Sequence, residues 1–76
     1  MERIIKIGLK YKHFKGDTCI VTNIAYDSEN LSKKVVYENI KTNKVWVRDY
    51  RMFNSLVDKE KYPNIDQKYR FEEVVE

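Results

Sequence analysis

Apolar residues recur along this chain in short runs, and most runs alternate with polar neighbours as strands do. The first, Ile4 to Ile7, predicts a short opening strand. Lys10 to Phe14 predicts a second, stopped by the turn-forming Lys15-Gly16-Asp17. The longest β-like stretch is "TCIVTNIAY", Thr18 to Tyr26. Its apolar residues fall in both phases, with Cys19 and Val21 on one face and Ile20, Ile24 and Tyr26 on the other. Such a strand is either covered on both sides or bulged, and Asn23 is the expected bulge. The polar "DSENLSKK" reads as a loop. "VVYENI" and "VWVRDY" then flank Thr42-Asn43-Lys44, the pattern of a hairpin.

Helical spacing shows once, in "DYRMFNSLV", where Met52, Phe53, Leu56 and Val57 predict a single short helical turn. "DKEKYPNIDQ" is a loop around Pro63, and "KYRFEEVV" closes the chain as a strand with Tyr69 and Phe71 on one face. The expected core is Phe14, Met52, Phe53, Val57 and Phe71, with Tyr11 packed against it. Alanine, the best helix former, occurs once, while Val, Ile, Thr and Tyr abound. The predicted fold is therefore all-β: one domain over residues 1–76, a small SH3-like, partly open barrel of five to six short strands with one short helical turn.

Composition narrows the function classes. A chain of 76 residues buries little surface, and with Cys19 as its one cysteine no internal disulfide reinforces it. One thiol and one imidazole, His13, are too few for the four-ligand structural zinc sites, so no metal and no cofactor is expected. The apolar centre of "MERIIKIGLK" is too short to span a bilayer, and the reading is a soluble cytoplasmic domain with no membrane role. Net charge is +3, thin for a dedicated nucleic-acid binder. It is unevenly spread, because the first fifty residues hold ten Lys or Arg against six Asp or Glu. That imbalance points to an anionic partner for this part.

The segments "YKHFKG", "IAYDSE", "VVY", "WVR", "MF" and "RF", in that order from Tyr11 to Phe71, resemble the DUF1653 family. These are small domains of unknown function from bacteria and their phages. The resemblance implies a small β fold and carries no activity, substrate or mechanism. Four features depart from the family pattern. Gly8 stands one residue too far from Tyr11, Asp49 replaces the proline after W-V-R and should loosen that turn, Cys19 stands near a usual aromatic, and "ENIKTNK" replaces a glycine-containing hairpin.

Three constellations could carry chemistry. A hairpin turn centred on Gly16 would set His13 opposite Cys19, the minimal pairing of a nucleophile and its base. No third orienting group is evident, and a small core thiol beside a corner imidazole is the better reading. No catalytic residue is assigned, and the chain is read as a non-enzyme. Ser28 and Glu29 are read as loop support beside Gly16: Asp27 or Ser28 would bond nearby backbone N–H groups, and Glu29 could pair with Lys15 or Arg48.

Trp46 and Arg48 are the strongest pair. Strand alternation puts both on one face with Val47 on the other, and Tyr37 faces them from the partner strand. An aromatic platform beside a guanidinium suits a base stacked on the ring and a phosphate gripped by arginine. The competing reading buries Trp46 in the core under the Arg48 stem. The expected ligand residues are thus Lys15 and Arg48 for phosphate, Trp46 and Tyr37 for stacking, and His13 for hydrogen bonding. The favoured function is a binding module for a nucleotide-type small molecule, which it could sequester. The alternatives are a single-stranded or duplex nucleic-acid binder and an SH3-like protein-interaction adaptor. A homodimer with the site between subunits is compatible with so small a domain.

Overall fold

The computed structural model describes residues 3–75, so residues 1, 2 and 76 of the expected domain lie outside the described part. Five strands form one antiparallel sheet: β1 (Lys10–His13), β2 (Thr18–Tyr26), β3 (Lys33–Asn39), β4 (Val45–Asp49) and β5 (Phe71–Glu73). A single helical turn, α1 (Tyr50–Phe53), follows β4. The strands run in the order β4-β3-β2-β1-β5, a meander with the last strand added beside the first. The sheet does not close, so the expected partly open barrel is what forms.

Two local devices fix the register. Gly16, at φ +112°, closes the first hairpin, where the His13 N–H donates to Asp17 O at 2.7 Å and the Gly16 N–H to His13 O at 2.8 Å. That backbone angle favours glycine, whose missing Cβ removes the clash. In the second strand pair, Val21 stands opposite Tyr37 but Asn23 opposite Val36, leaving Thr22 as the extra residue. The bulge therefore sits one position before Asn23, and the Thr22 hydroxyl donates to Val36 O at 3.2 Å. Its consequence reverses the expected phase of Ile24. The inserted residue restores Ile24 to the inner face, opposite the buried Val35 and packed against the core.

The core joins Ile5, Tyr11, Cys19, Val21, Val35, Tyr37, Phe53 and Phe71. Its centre is aromatic: Phe53 and Phe71 stack at 4.0 Å and 7°, with Tyr11 edge-on to Phe53 at 5.6 Å and Tyr37 beside both phenylalanines. Of the expected core residues, Phe53, Val57 and Phe71 are buried. Met52 is not, at 47% exposed, because the short helix turns Tyr50 and Phe53, three positions apart, toward the core and leaves Met52 outside. Phe14 is half-buried outside the cluster, edge-on to Tyr62 at 4.9 Å.

Ile4 to Ile7 forms no strand. Two tyrosyl oxygens take its backbone donors instead: the Ile5 N–H donates to Tyr50 Oη at 2.9 Å and the Lys6 N–H to Tyr11 Oη at 3.0 Å. This segment buries Ile5 and turns at Gly8, φ +89°, to reach β1. The closing strand is also shorter than expected, three residues rather than eight. Ahead of it, Glu72 Oε2 accepts the N–H groups of Lys68 and Tyr69, which holds the chain in a tight bend.

Asp49 tightens its turn rather than loosening it. Its φ of −54° lies close to the value a proline ring imposes, and its carboxylate caps α1 by accepting the Arg51 N–H at 3.0 Å. The same carboxylate stands 3.8 Å from Lys34 Nζ.

Candidate functional site

The site is built where the two edges of the sheet approach each other. β4 and β5 lie at opposite ends of the strand order, yet the Arg48 guanidinium of β4 stands over the Phe71 ring of β5, 5.2 Å from its centroid. A cation–aromatic contact spans the seam where a closed barrel would have backbone hydrogen bonds. A cleft of about 260 Å³ opens along this seam, lined by His13, Tyr37, Trp46, Arg48 and Phe71 together with Asp17, Cys19 and Asn39.

The β3–β4 hairpin decides which side chains reach it. Asn43 adopts φ +62°, the left-handed conformation that glycine and asparagine tolerate best. The Asn39 side chain accepts the N–H groups of Lys41 and Thr42, and the Asn43 N–H donates to Asn39 O. Asparagines thus supply the turn that the family pattern makes with glycine. The resulting register sets Trp46 directly opposite Tyr37 and Arg48 opposite Val35, all on the inner face.

Trp46 is 51% exposed, which rules out burial in the core and leaves its ring open to the cleft. Tyr37 differs from expectation. Only 8% exposed and packed on Phe53 and Phe71, it forms the floor of the cleft and is no free stacking surface. Arg48 is half-buried over Phe71.

His13 stands on the opposite wall, its ring between Phe14 at 4.6 Å and Phe71 at 4.8 Å. Its Nδ1 accepts the Lys15 N–H at 3.1 Å, which leaves Nε2 as the donor available to a ligand. Burial, then the neighbouring Arg48 and Lys15, lower the imidazole pKa below its ordinary value, with Asp17 pulling the other way. The ring is therefore a neutral hydrogen-bond donor at pH 7.

Lys15 does not line this cleft. It borders an adjoining hollow of about 350 Å³ that shares His13 and Arg48 as its wall and adds Lys61, Tyr62 and Arg70. Here four permanent cations, Lys15, Arg48, Lys61 and Arg70, face one carboxylate, Asp58. Sequence reasoning missed Lys61 and Tyr62 because they come from the loop between α1 and β5, whose path no periodicity reveals. Arg70 was visible as half of the "RF" signature but was given no role.

Gly16, Ser28 and Glu29 are supports of different kinds. Gly16 shapes the hairpin that carries His13 and Lys15. Ser28 and Glu29 are exposed in the β2–β3 loop, at the other end of the sheet from the cleft. There Asp27 Oδ1 accepts the Glu29 and Asn30 N–H groups, at 2.8 and 3.4 Å, and these bonds lower the Asp27 pKa. The turn expected of Asp27 forms, whereas that separation keeps Glu29 from reaching Lys15 or Arg48.

The His13–Cys19 pairing is not made across the hairpin. Cys19 stands opposite Tyr11, and the His13 backbone bonds to Asp17 instead. Burial pushes the Cys19 thiol up to about 11, outweighing the Tyr11 backbone hydrogen bond and Arg48, both of which lower it. At neutral pH this thiol carries its proton, a poor state for a nucleophile. Among the described residues, no group of three or more His, Cys, Asp or Glu could hold a metal ion.

A family model described as "Protein of unknown function (DUF1653)" matches residues 9–73. The chain belongs to the DUF1653 family. The match covers all five strands, α1 and every residue that lines the cleft. No curated protein and no solved structure matches the chain significantly. Within the family signature, the "VVY" and "WVR" segments hold Tyr37, Trp46 and Arg48 in register, and "YKHFKG" and "RF" bring His13 and Phe71 against them. Among the described residues, no helix is long and apolar enough to cross a membrane.

Proposed function

We propose that this DUF1653 protein is a non-enzymatic binding module for a nucleotide-type small molecule, taken up at the seam between β4 and β5. The supporting observation is a half-exposed tryptophan set beside a half-buried arginine, at the junction of an aromatic-floored cleft and a cationic hollow. A base would stack on Trp46 above Tyr37 and Phe71, accepting a hydrogen bond from His13 Nε2. Its phosphate would lie in the adjoining hollow against Arg48, Lys15, Lys61 and Arg70, four cations that outweigh the one carboxylate there, Asp58. Arg48 belongs to both spaces, and its planar fork suits bidentate phosphate recognition. Together the two hollows match the size of ordinary small-ligand sites.

A thermal-shift screen against mono-, di- and cyclic nucleotides, repeated with Arg48→Ala, tests this reading. A ligand at a hundred times its Kd stabilises by about 2.7 kcal/mol, a readily measured shift. No stabilisation by any nucleotide at high concentration would sink the proposal.

A second reading, the interaction adaptor, is favoured by one observation. β4 is an edge strand, and its outer-face residues Val45 and Val47 are both largely exposed. An added strand from a partner would cover them. Val47→Lys separates the two readings, because it disturbs strand addition and leaves the inner-face cleft intact.

A further inference from the structure

A hollow larger than either half of the proposed nucleotide site plays no part in it. It is a groove of about 930 Å³ between the N-terminal segment, the end of the β2–β3 loop, α1 and the chain leading into β5. Four cations line it, Arg3, Lys33, Arg51 and Lys68, against the single carboxylate of Asp49. That carboxylate is already engaged, with one oxygen capping α1 and the other beside Lys34, which is not a groove residue.

Arg3 is the informative residue. Its Nε donates to Asn54 Oδ1 at 2.6 Å, and its guanidinium carbon stands over Tyr69, 3.9 Å from the ring centroid. Its Nη2 is buried with no hydrogen-bond partner. Desolvation lowers the pKa of this arginine, and the one carboxylate that acts on it, Glu72, accepts two backbone N–H groups. A partly desolvated guanidinium with an unused donor and, among the described residues, no carboxylate of its own is a costly arrangement. The other buried polar atom without a partner, Ser32 Oγ, belongs to the same groove. Both unsatisfied side chains found among the described residues thus line one cation-rich hollow.

We infer that this groove is a second binding site, for a multiply charged phosphoanion such as a short polyphosphate chain. Arg3 Nη2 and the Ser32 hydroxyl become directed donors once small side-chain shifts open them to the groove, and Lys33, Arg51 and Lys68 supply charge along its length. Tyr50 and Tyr69 do not act as stacking platforms for a base, because Lys33 and Arg3 stand over their faces. Recognition is therefore of phosphate alone, which distinguishes this groove from the Trp46 cleft.

Sodium tripolyphosphate, titrated at constant ionic strength while backbone amides are followed by NMR, tests the inference. Saturable shifts are expected at Ser32, Lys33, Arg51, Asn54 and Tyr69, with the Trp46 indole unmoved. The exposed pair Lys33→Ala and Arg51→Ala should weaken binding at least tenfold while the protein stays folded, with Tm lowered by only a few degrees through loss of the Lys33–Tyr50 contact. Arg3→Lys, which keeps the charge but loses the fork, should weaken it as well. Unsaturable shifts scattered over remote lysines such as Lys12 and Lys41 would overturn the inference. So would shifts centred on His13 and Trp46, or an unchanged affinity in the double variant. Failure here leaves the nucleotide reading standing, since that is tested at different residues and with different ligands.

Discussion

Trp46 and Tyr37 face each other across one pair of strands, yet their removal should have opposite consequences. Tyr37 is 8% exposed and touches the stacked Phe53–Phe71 pair, so Tyr37→Ala opens a cavity at the aromatic centre. Large-to-small changes of that kind cost roughly 3–5 kcal/mol. A chain of 76 residues has only about 4–11 kcal/mol of total stability, so Tyr37→Ala should lose a large share of it and melt far below the parent. Trp46 is 51% exposed, and scaling the same cost to its buried half gives about 1.5–2.5 kcal/mol for Trp46→Ala. The variant should fold. If the ring is the stacking platform, its loss removes about 1–3 kcal/mol of binding, a roughly 5- to 150-fold rise in Kd. The chain has a single tryptophan, so intrinsic fluorescence reports on this ring alone. Acrylamide should quench the free protein readily, and a bound nucleotide should shield the indole or quench it by stacking. The reasoning is refuted if Trp46→Ala destabilises as much as Tyr37→Ala, or if it binds nucleotide as tightly as the parent.

Other expectations follow from individual groups. Because the folded pKa of His13 lies below its unfolded value, the unfolded chain takes up its proton first as pH falls. Stability should decline from just above pH 6.5 downward, and His13→Gln should flatten that part of a Tm-versus-pH curve; an unchanged slope would contradict the assignment. The Asp27 contribution, from a lowered carboxylate pKa, should be lost only in more acidic solution, as pH falls through its ordinary value near 3.8 and below. Cys19, buried and pushed up to about 11, should resist iodoacetamide at pH 7.5 in the native protein and react once denatured; rapid native labelling would disprove its burial. Asp49→Ala removes the α1 cap at a cost of about 1 kcal/mol, which lowers Tm by roughly 4–8 °C in a domain of this size. A Tm unchanged within a degree would show that the cap contributes nothing.

Much of this architecture is determined by local sequence. Short β-like runs mark β1 to β4, with β1 and β3 alternating cleanly to bury one face, and a Gly or Asn at positive φ marks the turns at Gly16 and Asn43. The inward direction shared by Trp46 and Arg48 follows from strand geometry alone. Tertiary structure decided what a period of two cannot express. The Thr22 bulge changes the phase of its strand, so Ile24 turns inward against its own alternation. Ile4 to Ile7 has an apolar pattern fit for a strand, but its Ile5 N–H goes to Tyr50, 45 residues on, and its Lys6 N–H to Tyr11. The sheet's curvature brings β5 across to β4, and that approach sets His13 and Phe71 opposite Trp46 and Arg48. It also separates Lys15 into a neighbouring hollow with Lys61 and Arg70. Sequence selects which face each side chain takes, through the pleat of its own strand. Which faces meet depends on how far the sheet coils before its edges stop short of closing, and only long-range packing around Phe53 and Phe71 sets that.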